Sequence, residues 1–480
     1  MQPGQQVGGG AAQHFREARE LARAIRAGEL SSRQVTAHFL DRIARAPDLA
    51  AYSVVTAERA LAQAEAADRL LAAGISMGPL HGVPVAVKDS VQWAGTVASG
   101  GSQARRDIVS DETSAAVRGL SAQGMVILGK TRMTEFAFGL SGQNPTQGTA
   151  RNPWDAVTAR APGGSSSGAG VAVAAGLAPL ALGGDTGGSV RAPAALNGVV
   201  GYKPSSGVIS RAGCLPLSDT LDVLGPIARS VADARLLTQA LAGPDIDDDA
   251  TLALPAACIA ALQRPAAPRG SAVAVLAPQA WPTPLADEGL RIWHEAQERL
   301  DQAGLTPETW HPPASLSFAR MADDNSLVLA YEAYRYFGAL AEDPAQPLWD
   351  VVRARIAAGG RIARADYEAA LQRRQADMAT FAAAMQGIDA LLMPACDQAA
   401  QALDAADVRH AGLGRLLRPA NFLGAAAIAL PAGFDEDGMP MAVQLLAPAG
   451  GDAALLDRAA MLEPVLAPVA RTPDLSAWGL

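Results

Sequence analysis

Two glycine-rich stretches carry serines, Gly163-Gly164-Ser165-Ser166-Ser167-Gly168 and Gly184-Asp185-Thr186-Gly187-Gly188-Ser189-Val190-Arg191, with the apolar run Ala169–Leu182 between them. Glycine lets backbone pass close to a substrate and adopt conformations closed to other residues. A serine held there can attack a carbonyl while neighbouring N–H groups stabilise the oxyanion. Upstream, Pro84-Val85-Ala86-Val87-Lys88-Asp89 sets a lysine at the end of an apolar, strand-like run. A serine hydroxyl is a weak nucleophile until a base takes its proton. Lysine, with an ordinary pKa of about 10.4, is a poor base at neutral pH, but burial disfavours its charged form and lowers that value. Alone, Lys88 reads as a surface lysine or one paired with Asp89. Beside both serine motifs it reads as the base that activates a serine.

Two literal pattern matches are set aside. Gly124-Met-Val-Ile-Leu-Gly129-Lys130-Thr131 fits a phosphate loop, but its four intervening residues are apolar and form the strand itself. Gly164-Ser165-Ser166-Ser167-Gly168 fits a nucleophile elbow, which must follow a buried strand; here a polar, proline-broken segment precedes it. His294, His311 and His410 lie downstream in helical or loop contexts that supply no triad. Cys214 and Met133 read as packing residues.

The elements that must position these residues follow from periodicity. Ser31-Ser32 caps a helix running through Ala44, with Val35, Phe39 and Ile43 on one face. Residues 57–73, 113–123 and 168–176 read as further helices, and 82–88 and 125–128 as buried strands. Helices are expected over 288–303, 324–340 and 365–385, strands over 390–394, 426–431 and 439–446, and a closing helix over 453–462. Alternating apolar runs and helices indicate an α/β architecture.

The 480 residues would allow about three domains on length alone. No long linker, charge block or repeat divides them, so a single α/β domain, 14–480, is expected. Its core spans about 75–231, a helical insertion over the site about 244–388, and its completion about 389–470. Residues 1–13 are Gly/Gln/Ala-rich, lack a signal-peptide pattern and read as a flexible arm. The net charge of −9, with scattered basic residues, argues against a nucleic-acid-binding face. Three widely spaced cysteines give neither a zinc pattern nor a disulfide framework and fit a reducing cytoplasm. Apolar runs such as Val171–Leu182 are too short to span a bilayer.

The chain resembles the amidase signature family from about Ser31 to Val231 and again from about Pro419 to Glu463. Matching segments include residues 79–89, 129–136, 151–154, 162–168, 184–191, 198–204 and 221–226, in order and spacing. One departure is Ser167-Gly168-Ala169, where the family usually has Gly-Gly-Ser. The resemblance implies a central mixed β-sheet flanked by helices on both faces, with a helical insertion over the active site. It implies Ser189 as nucleophile, Ser165 as a bridging serine on a cis peptide after Gly164, and Lys88 as the ultimate base. The oxyanion would meet the N–H groups of Thr186, Gly187, Gly188 and Ser189. Ser166, Asp185 and Arg191 would orient the loops. Phe138 and Gly139 would line the cleft, although Phe138 fits ordinary core equally well.

No metal or organic cofactor is implied. The activity implied is hydrolysis of amide C–N bonds, including aryl amides or carbamates (urethanes), through an acyl-enzyme. The alternative is the glutaminase (A) subunit of a tRNA-dependent amidotransferase complex, against which 394–419 lacks the expected pattern. The expected partner is a small-molecule amide or carbamate, with no nucleic acid and no membrane; a homo-oligomer is left open.

Overall fold

The structure, a computed structural model, describes residues 13–264, 273–404, 411–467 and 471–480. The expected N-terminal arm therefore lies outside the described residues except for Gln13, which opens a short 3₁₀ turn.

Eleven strands form one mixed sheet. In chain order they are β1 (Tyr52–Val55), β2 (Pro84–Lys88), β3 (Val126–Thr131), β4 (Leu180–Asp185), β5 (Val200–Lys203), β6 (Val223–Ala228), β7 (Val273–Leu276), β8 (Glu308–Trp310), β9 (Ala390–Pro394), β10 (Ala426–Phe434) and β11 (Pro440–Ala447). Across the sheet they lie in the order β1-β3-β2-β4-β6-β5-β10-β11-β9-β7-β8. β2 runs parallel to both β3 and β4. Every residue of β2 and β3 is buried, as expected of strands covered on both faces. The carboxyl ends of β2, β3 and β4 thus share one edge, where open α/β sheets place their ligands.

The connecting segments follow local sequence. Ser31 caps the Ser32–Arg45 helix by accepting from the Gln34 N–H. The Ser167–Ala174 helix is made of small residues and is wholly buried. At Gly168 a Cβ would lie 2.0 Å from the Ala51 carbonyl oxygen, so only glycine lets this helix approach.

The region expected to be a helical insertion contains the long helices Phe318–Glu342, Asp350–Gly359 and Arg364–Ala384. It also contributes β7 and β8 to the edge of the sheet, a departure from the purely helical insertion expected. The helices build a second apolar cluster in which Val328, Phe337, Val352 and Ile356 meet Phe136, Leu217 and Leu221 of the core. Glu332, fully buried, ties the two together: Ser218 and Thr220 of a core loop and Tyr367 of the neighbouring helix all donate to its carboxylate.

Candidate active site

Lys88 is the last residue of β2, and Gly184-Asp185 end the adjacent parallel strand β4. This register places the Lys88 Nζ 3.2 Å from the Gly184 carbonyl oxygen and 2.7 Å from the Ser165 Oγ. Lys88 is 2 % exposed. Among the described residues it makes no ion pair. Asp89, its sequence neighbour, is instead paired with the buried Lys130 at 2.7 Å. Lys130 belongs to β3, which confirms that the phosphate-loop match there is a strand. Burial pushes the Lys88 ammonium down to about 8, with Asp222, Asp185 and Cys214 opposing. A lysine in this setting can hold a neutral amine near physiological pH.

Ser165 is fully buried and follows a cis Gly164–Ser165 peptide. Its carbonyl accepts from the Thr134 N–H at 3.1 Å, and the Gly164 N–H donates to the Leu140 carbonyl at 2.8 Å. The Ser166 N–H donates to the Ser189 carbonyl at 3.2 Å, which locks the two serine loops together. Ser166 Oγ also bridges both backbone groups of Gly184. The Ser189 Oγ, by contrast, has no hydrogen-bond partner among the described residues. Lys88–Ser165 is a closed link, and Ser165–Ser189 is an open one. Catalytic hydrogen bonds are often long before substrate binds.

The loop carrying Ser189 is shaped by Asp185. Its carboxylate accepts from the N–H groups of Gly188 (2.6 Å) and Val190 (3.1 Å), and from the guanidinium of Arg191. Both Asp185 and Arg191 side chains are fully buried. Burial alone would raise the Asp185 carboxyl; Arg191, Lys203 and Asn421 outweigh it and hold the acid well below the usual carboxylate range. Because the Gly188 N–H is committed to Asp185, it is not free for an oxyanion. Among the described residues the N–H groups of Thr186, Gly187 and Ser189, the other three expected donors, have no partner.

Three further residues support this loop. Asn421 donates to both the backbone and the carboxylate of Asp185, at 2.9 Å each, and accepts from Arg191. Gln444 accepts from the Arg191 Nη1 at 3.0 Å. Asp222 accepts from the Thr186 Oγ1 at 2.6 Å. Asp222 falls within a matching segment, but the sequence alone assigns it no role. Asn421 and Gln444 are detectable there only as polar residues inside apolar runs.

A cavity of about 180 Å³ reaches Lys88, lined also by Gly184, Thr186, Cys214 and Asp222. Phe138 and Gly139 do not line it. The Phe138 carbonyl accepts from Arg355 of the insertion, and its ring lies against the second apolar cluster. The backbone entering this segment is held in the left-handed region at Phe136 (φ 46°) and Ala137 (φ 59°), and the Phe136 ring stacks on Phe337 at 4.2 Å. Among the described residues no cluster of His, Cys, Asp or Glu could hold a metal ion, and no helix is long and apolar enough to cross a membrane.

Comparison with known proteins extends this geometry. The Amidase family model matches residues 34–456. The glutamyl-tRNA(Gln) amidotransferase A subunit of Acidothermus cellulolyticus is 36 % identical over 479 residues, covering 93 % of this chain and 94 % of that protein. The native peptide amidase of Stenotrophomonas maltophilia superimposes with a TM-score of 0.80 at 30 % identity, covering 95 % of this chain and 98 % of its own. A protein from a vestigial complex tied to the origins of an s-triazine catabolic enzyme gives a TM-score of 0.85 at 30 % identity, covering 96 % and 100 %. These findings correct the expectation of a small-molecule amide or carbamate as partner with no nucleic acid, since curated relatives are named for an amidotransferase acting on glutamyl-tRNA(Gln). The exclusion of nucleic acid rested on net charge, which bears only on direct contact by this chain and not on what an assembly handles. With motif order, sheet and family match in agreement, the chain belongs to the amidase signature family, whose members are enzymes acting on the C–N bonds of amides.

Proposed function

We propose that this chain is the amide-hydrolysing (A-type) component of an amidotransferase assembly, releasing ammonia from glutamine through a serine acyl-enzyme. The observation that carries the chemistry is Lys88 Nζ at 2.7 Å from Ser165 Oγ, with the Ser166 N–H on the Ser189 carbonyl. In this reading Ser189 Oγ attacks the carboxamide carbon. Its proton passes to Ser165 Oγ as the Ser165 proton passes to the neutral Lys88. The oxyanion meets the N–H groups of Thr186, Gly187 and Ser189, the C–N bond breaks, and the amine leaves with the proton returned through Ser165. Water then attacks the ester by the same relay. Each oxyanion donor is worth about 10²–10³ in rate. The assembly and the tRNA are supported by near full-length likeness to amidotransferase A subunits.

A second reading, hydrolysis of an amide by the chain alone, is favoured by its near-complete overlap with a peptide amidase. Free cysteines 214, 258 and 396 suit either reading in a reducing cytoplasm. One domain spanning 14–480, with 244–388 shaping the pocket, is part of the same proposal.

Ammonia release from L-glutamine, measured on the purified chain with and without partner subunits and glutamyl-tRNA, separates the two. Turnover raised strongly by the partners supports the first reading. Full turnover of simple amides by the isolated chain, indifferent to partners, supports the second. A folded Ser189→Ala protein that still works removes both.

A further inference from the structure

Beside the loop that carries Ser189 lie two side chains with unspent polar groups. Asn325, on the Phe318–Glu342 helix, is fully buried. Its Nδ2 donates to the Thr186 carbonyl at 3.4 Å, which fixes the amide's orientation. Its Oδ1 has no hydrogen-bond partner among the described residues and sits 3.2 Å from where a Cβ on Gly187 would stand. A buried acceptor left empty loses its hydration with nothing in return, so such groups call for a ligand or a function.

Arg418, on the Ala411–Phe422 helix, passes the same glycine: its Cγ and Nε lie 3.3 and 3.7 Å from the Gly187 Cβ position. Its guanidinium carbon lies 3.0 Å from the Cβ position of Gly414, one turn earlier. A side chain at Gly414 would fill the place the guanidinium occupies. Among the described residues Arg418 makes no hydrogen bond or ion pair. The acid nearest in charge, Asp323, is taken by Arg415 at 2.6 Å. Arg355 donates to the Phe138 carbonyl. Burial, then Arg355 and Arg415, push Arg418 down to about 10, so it stays cationic at neutral pH. An unpaired, half-buried guanidinium suits a carboxylate, which it can hold with two parallel N–H donors.

We propose that Arg418 and Asn325 recognise the non-reacting end of the amide substrate, Arg418 taking a carboxylate and Asn325 an adjacent N–H. The assignment rests on the reading of Ser189 as the attacking group, because Gly187 lies two positions before it. It names the substrate class as carboxamides of amino-acid type.

The test uses the full chain, with its partner subunits if turnover requires them, and three amides of matched length: L-glutamine, glutarate monoamide and pentanamide. Arg418→Ala is expected to raise KM for the two anionic amides at least about tenfold more than for pentanamide, the loss expected for a charged hydrogen bond. Arg418→Lys should recover part of it. Asn325→Ala should raise KM for L-glutamine more than for glutarate monoamide, which has no amino group. Equal effects on charged and neutral amides would overturn the proposal. Glutarate binding, followed by calorimetry, gives a readout free of turnover: binding by the wild type that is lost in Arg418→Ala supports the subsite even if no amide is hydrolysed. Equal binding by both proteins, or by neither, removes it.

Discussion

At the scale of single residues the account turns on the protonation of Lys88. The attacking state needs the neutral amine, so kcat/KM should rise with pH along a limb centred at about 8 and level off above it. A pH–rate profile flat from 6 to 9 would contradict this. The same shift has a sign for stability. A lysine lowered from 10.5 to about 8 binds fewer protons folded than unfolded. It therefore withholds stability below pH 8 and returns it between about 8 and 10.5. Lys88→Met should be inactive yet at least as stable as the wild type at pH 7, as read by urea denaturation. Ser165→Ala should leave a damaged but measurable enzyme; an unchanged rate would exclude it from proton transfer. Lys88, Ser165 and Ser189 can be singled out in the sequence because two glycine-rich serine motifs and a strand-end lysine occur together, and their proposed roles come from the family resemblance. The commitment of the Gly188 N–H cannot be read there, since sequence marks where backbone bends but not which donors remain free.

Elements set the loop that presents Ser189. It is held by one buried carboxylate and by close packing on the Ala411–Phe422 helix. Asp185→Ala would leave Arg191 charged and unpaired in the interior, a change costing about 3–5 kcal/mol, and should lower the urea midpoint sharply. Gly188 has φ 122°, and a Cβ there would lie 2.7 Å from that of Leu417. Gly188→Ala should therefore shift the loop and lower kcat by at least about tenfold, on the scale of 1–3 kcal/mol for such strain. Normal kcat in that variant would mean that the loop geometry is not critical. Strands β2 and β3 are readable as apolar runs, and β9 matches its expected bounds of 390–394. β4 is hidden because Leu180–Asp185 ends in Gly-Gly-Asp, which lacks strand propensity. β7 and β8, four and three residues long, sit among helices whose stronger period masks them. They are strands because the sheet edge supplies partners, a tertiary cause with no local signature.

For the whole molecule, our proposal makes function depend on how the insertion seats on the core. Glu332 is the joint: three hydroxyl donors from both sides converge on it. Glu332→Ala strands those donors and should lower Tm while raising KM more than it changes kcat; an unchanged KM would mean that the insertion does not shape the pocket. Net charge misleads at this scale, because an acidic chain can serve an assembly whose nucleic acid is held elsewhere. The central claim, that Ser189 is the residue acylated and Lys88 its base, is most directly tested by labelling with a fluorophosphonate followed by peptide mass mapping. The account predicts a single adduct on Ser189, formed faster as pH rises through about 8 and absent in Ser189→Ala. An adduct on another residue, or undiminished labelling in Ser189→Ala, would contradict it.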